Sequence, residues 1–104
     1  MNPDERRKHH RGGFAGKAEY RGSRGVSGAL ITDISAGGAR LITDAPEKPG
    51  EHVALRLTPE GQNGQSLDLE AQVIWARQVP PFWVGIRFVG LSEAQQRKLT
   101  ALIG

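Results

Sequence analysis

From Phe14 onward, apolar and polar positions alternate with period two in six runs. Alternation of that kind marks half-buried β-strands. The pattern predicts a weak strand over residues 14–20, a Gly/Ser/Arg turn "RGSRG", and further strands over 26–33, 38–43, 52–58, 67–77 and 82–89. The fourth run sets Val53, Leu55 and Leu57 against Ala54, Arg56 and Thr58. The fifth run sets Leu67, Leu69, Ala71, Val73 and Trp75 on one face, opposite Asp68, Glu70 and Gln72. Phe82, Val84, Ile86 and Phe88 share a face of the sixth. The period then changes. "LSEAQQRKLTALIG" carries Ser92 with Gln95 three residues on, a capping-box signature, and an apolar stripe of Leu91, Ala94, Leu99, Leu102 and Ile103. Strands followed by one terminal helix argue a mainly β fold, an antiparallel barrel or sandwich, with the helix covering an open end or edge.

The 104 residues suit a single domain with one core. Residues 1–13 show neither period and end in Gly12-Gly13, so they read as a mobile basic arm ahead of a domain over 14–104. The chain has no cysteine, which excludes disulfides and thiolate metal sites. Its apolar runs fall short of the ~20 residues that span a bilayer. The charged N-terminus lacks a signal peptide's apolar segment, so the expectation is a soluble, cytoplasmic protein without membrane insertion. The net charge is +3, but Arg6, Arg7, Lys8 and Arg11 are gathered in the arm around His9 and His10. Such a cluster attracts anions, phosphate first among them, unless it is only a solvated tail.

Enzymatic chemistry finds little support. A GxSxG nucleophile motif, a GxGxxG loop and a phosphate-binding P-loop are all missing, and His9, His10 and His52 lack metal-chelating spacing. The corner "TDISAGGARL" is more informative. Asp33, Ser35, Gly37 and Gly38 stand where one strand gives way to the next. On their own they describe a turn, because Asp and Ser hydrogen-bond nearby backbone and glycine tolerates unusual conformations.

Two spacings taken together say more. Arg7 and Arg11 form RxxxR before the first strand, and Asp33, Ser35 and Gly38 form DxSxxG at the end of the second. With "PGEHVALRLTP", "AQVIWAR" and "WVGIRFVGLS" following in order, the chain resembles the PilZ domain, the bacterial receptor module for cyclic di-GMP. That resemblance covers nearly the whole chain and implies a six-stranded antiparallel β-barrel with a C-terminal helix. It implies a ligand rather than a cofactor: cyclic di-GMP. The chemistry of the matched residues is compatible. Arginine forks pair with guanine O6/N7 or with phosphate, whereas a carboxylate accepts from the base donors. Arg7 and Arg11 would supply the first, Asp33 and Ser35 the second, and Gly38 would leave room where a Cβ would crowd the ligand or strain the backbone. With Arg6 making the arm RRxxxR, the resemblance implies capture of two ligand molecules per chain.

Trp75 has two readings: a core or rim residue continuing the Leu67–Val73 face, or a wall packed against a guanine. Arg77 and Arg87 read as exposed strand positions. The Gly-rich turn after Tyr20 suggests a loose first hairpin. The functional expectation is a receptor that orders its arm on the ligand and signals through a protein partner. A ligand-independent interaction module of motility or pilus machinery is the rival. A barrel binding nucleic acid polymer is weaker, since Trp83 beside Arg87 is its one candidate patch, and an enzyme comes last.

Overall fold

The computed structural model describes residues 14–44, 46–60 and 65–103; the basic arm assigned to residues 1–13 lies outside the described residues. Strands β1 (Gly16–Gly22), β2 (Gly25–Ile34), β3 (Gly38–Thr43), β4 (His52–Pro59), β5 (Leu67–Ala76) and β6 (Phe82–Phe88) precede helix α1 (Glu93–Ile103). Every strand neighbour is antiparallel and the sheet closes in the order β1-β2-β3-β6-β5-β4. A closed sheet leaves no unpaired edge. The expected six-stranded barrel is the observed one, with β1 displaced two residues towards its turn.

Alternation explains the core. Tyr20, Leu41, Leu55, Leu57, Leu69, Val73 and Val84 point inward and are almost wholly buried. Their neighbours along each strand face outward, as the pleat requires. Helix α1 starts as its capping box dictates. Ser92 N donates to Gln95 Oε1 at 2.8 Å and Gln95 N donates to Ser92 Oγ at 3.1 Å. Leu99 drops into the barrel core, with Leu91, Leu102 and Ile103 packed beside it, while Gln95 Nε2 donates to the Asp68 carbonyl at 2.8 Å. Ala94, expected in the apolar stripe, is exposed. The closed barrel has no open edge, and the helix packs beside β5. Among the described residues no helix is long and apolar enough to cross a membrane.

The first hairpin is held rather than loose. Buried Glu47 accepts from Ser23 N at 3.0 Å and from Ser23 Oγ at 2.9 Å, and its own N–H donates to the Tyr20 hydroxyl at 3.0 Å. Burial pushes the Tyr20 phenol above its ordinary pKa. A Cβ at Gly22 would displace the Glu47 carboxylate from this contact.

Candidate functional site

Two β-bulges aim one outward face of the barrel. Between β2 and β3 the register runs through Ile31 opposite Leu41, then resumes with Asp33 opposite Arg40 and Ile34 opposite Ala39. Thr32 is the extra residue; in an unbroken ladder it, not Asp33, would face Arg40. Between β5 and β6, Val73 pairs with Ile86 and the ladder resumes with Trp75 opposite Gly85, leaving Ile74 extra. A bulge re-aims the side chains that follow it. Arg40 also pairs with Gly85 across β3 and β6. The outcome is one row across β2, β3, β6 and β5: Asp33, Arg40, Gly85, Trp75. Neighbouring strands lie about 4.8 Å apart, so the four residues are side by side.

The bulge at Ile74 sets the direction of Trp75. Its indole does not continue the Leu67–Val73 face; the residue is 42% exposed and lies over Gly85, where any Cβ would collide with the ring. Trp75 does not continue the buried face, because the extra residue Ile74 reverses the alternation beyond Val73. A mid-strand glycine marks a close approach of another group, and Gly85 is such a place.

At the corner, Ser35 N donates to the Gly38 carbonyl at 2.9 Å, Gly37 N donates to Ser35 Oγ at 3.3 Å, and Phe88 N donates to the Gly37 carbonyl at 2.9 Å. The turn chemistry expected of Ser35 is present and stitches the corner to β6. Gly38 is required by the barrel itself. A Cβ there would run into the Ile86 carbonyl oxygen, so the crowding comes from β6 backbone. The Asp33 carboxylate, 15% exposed, accepts from Arg40 Nη2 at 3.1 Å; the Arg40 side chain is 51% exposed. Thr32 Oγ1 donates to the Arg40 carbonyl at 2.9 Å, fixing β3 at that residue.

Asp33, Ser35, Gly38, Arg40, Trp75 and Gly85 line an open pocket of about 310 Å³. The pocket offers a fixed carboxylate for donors, a guanidinium for acceptors or anions, and an indole face for a planar ring. Of the residues expected from sequence, the fold brings Asp33, Ser35, Gly38 and Trp75 to this one place. Arg6, Arg7 and Arg11 lie outside the described residues. Arg77 and Arg87 are exposed as expected, with Arg87 Nη2 donating to Gln72 Oε1 at 3.1 Å. Sequence reasoning missed Arg40 and Gly85. Arg40, two residues beyond Gly38, stands on the same strand face; Gly85 interrupts an otherwise apolar run. Among the described residues no cluster of His, Asp or Glu is arranged to hold a metal.

The PilZ domain family model matches residues 5–104. The fold resembles the PilZ domain of CeSA from a cellulose-synthesizing bacterium, with TM-score 0.68 and 21% identity over 90% of this chain and 94% of that one. It also resembles the PilZ domain of Escherichia coli YcgR, solved with c-di-GMP, with TM-score 0.66 and 17% identity over 89% and 86%. Bacillus subtilis MotI/DgrA, an inhibitor of motility, matches with TM-score 0.67 and 19% identity over 84% of this chain but 44% of its own. The chain thus spans less than half the length of that relative. No curated protein matches the sequence.

Proposed function

The chain belongs to the PilZ domain family, and from that premise we propose that it is a receptor for cyclic di-GMP, not an enzyme. The observation that carries this reading is the gathering of Asp33, Ser35, Gly38 and Trp75 around one pocket by two independent bulges. The carboxylate suits the N1–H and N2–H donors of guanine, and the indole suits its face. The ligand also carries two phosphates, for which Arg7 and Arg11 of the RxxxR sequence are the matching groups. The antiparallel pairing of β1 with β2 sets the start of β1 at the barrel end where β2 finishes. The described chain therefore enters β1 at the barrel end that holds the DxSxxG corner. In this proposal the arm orders over the ligand, and the altered surface signals to a protein partner in the cytoplasm. Ordering costs several kcal/mol, offset by charge-assisted hydrogen bonds of roughly 1.5–3 kcal/mol each.

Arg6 extends the proposal to two ligand molecules per chain. Two stacked ligands bring four phosphates, which Arg7 and Arg11 alone leave half neutralised. Calorimetric titration with cyclic di-GMP tests both parts. The expected result is about two ligands per chain, falling toward one in Arg6→Leu. Arg7→Ala or Arg11→Ala should weaken binding at least tenfold, about 1.4 kcal/mol. Absence of binding by the wild-type chain would reject the receptor reading. An unchanged ratio in Arg6→Leu would reject only the stoichiometry.

A further inference from the structure

Arg40 stands in the middle of the row that forms the pocket, yet neither the RxxxR nor the DxSxxG spacing includes it. Three observations set it apart from an ordinary surface arginine. The bulge at Thr32 brings Asp33, rather than a threonine, opposite it. Its guanidinium contacts the Asp33 carboxylate at 3.1 Å, and that carboxylate is only 15% exposed. On its other side Gly85 has no side chain, and the space there is taken by the Trp75 indole. Arg40 is therefore flanked by the acceptor on one side and the aromatic wall on the other.

We propose that Arg40 is a positioning and specificity residue of this pocket: it holds the Asp33 carboxylate at a fixed angle to a bound guanine edge and turns its remaining N–H donors toward the ligand. The inference rests on the cyclic di-GMP reading and adds a residue to it. The chemistry follows from donor and acceptor counts. A carboxylate offers about four acceptor positions, and one guanidinium N–H occupies one of them. A carboxylate is also the matching acceptor for the N1–H and N2–H pair of guanine. A carboxylate gripped by a guanidinium cannot rotate freely, and a recognition group held in its productive orientation discriminates better than a mobile one. Adenine presents a different set of donors and acceptors on that edge, so the discrimination passes through Asp33 and depends on Arg40. The planar fork matters as well as the charge, because lysine is a point donor without fixed geometry.

The test is calorimetric titration of cyclic di-GMP and cyclic di-AMP into wild type, Arg40→Ala, Arg40→Lys, Asp33→Ala and the Asp33→Ala/Arg40→Ala double variant. Arg40→Ala should bind cyclic di-GMP about tenfold more weakly and show a smaller preference for it over cyclic di-AMP. Arg40→Lys should recover part of the affinity but not the preference. The double variant should lose less than the product of the two single losses, because the residues act as a unit. Wild-type affinity and preference in Arg40→Ala would overturn the role, as would independent effects in the double variant. A wild-type chain that fails to bind overturns the receptor reading and this role with it. A wild-type chain that binds beside an unaffected Arg40→Ala overturns this role alone. Thermal melting of each variant checks that the barrel is intact.

Discussion

Two Arg–Asp pairs among the described residues bridge neighbouring strands of the barrel, and they differ in what surrounds them. Arg56 and Asp68 face each other across β4 and β5 in an unshifted ladder. Their contact is bidentate, with Arg56 Nε donating to Oδ1 at 2.7 Å and Nη2 to Oδ2 at 3.3 Å. Both side chains are well exposed, at 38% and 65%. The Arg56 hydrogen bond holds the Asp68 carboxyl below its usual pKa, yet solvent screens a pair so exposed. Arg40 and Asp33 make a single longer contact, but their carboxylate is largely buried, and their register exists only because β2 carries an extra residue. The better hydrogen-bond geometry thus belongs to the regular surface. The broken ladder builds the pocket.

The largest effect expected from this difference is on binding. Asp33→Ala removes the acceptor for the base donors, and hydrogen bonds to a charged group are worth about 1.5–3 kcal/mol. Cyclic di-GMP affinity should therefore fall by more than tenfold, together with the preference over cyclic di-AMP, whereas Asp68→Ala should bind as wild type does. Equal losses in the two variants would show that general surface charge, not the pocket, draws the ligand.

Next in size is a stability contrast between adjacent glycines. A Cβ at Gly38 would press on the Ile86 carbonyl, while one at Gly37 would meet nothing within 4 Å. Gly38→Ala should cost about 1–3 kcal/mol through forced backbone shifts. Gly37→Ala should stay within about 0.5 kcal/mol of wild type. Urea unfolding of the two variants sharpens the distinction between the barrel's need for glycine and the ligand's. Comparable unfolding midpoints would return Gly38 to a purely ligand-facing role.

The smallest effect concerns the exposed pair. Because the folded state lowers the Asp68 pKa, its contribution is present above the ordinary carboxylate range and fades as pH falls through the lowered value. Asp68→Asn should unfold slightly more easily than wild type near neutral pH in low salt. The gap should close in acid or at high salt. A gap that persists in both would mean that the pair is shielded from solvent in a way its exposure does not show.

Much of this architecture is local and therefore legible in the residues themselves. Period-two alternation announces each strand because one face must be buried, and Ser92 with Gln95 announces the helix start because both partners lie within one turn. The DxSxxG corner declares itself for the same reason, through hydrogen bonds spanning only a few residues. The direction of Trp75, the pairing of Asp33 with Arg40 and the need for glycine at positions 38 and 85 belong to a different class. Each depends on how one strand registers against another, and a single extra residue, Thr32 or Ile74, reverses the faces beyond it. Nothing in the alternation of β5 marks Ile74 as the residue to be left unpaired. Closure of the barrel against β6 decides it, because the indole finds its space only where β6 carries Gly85.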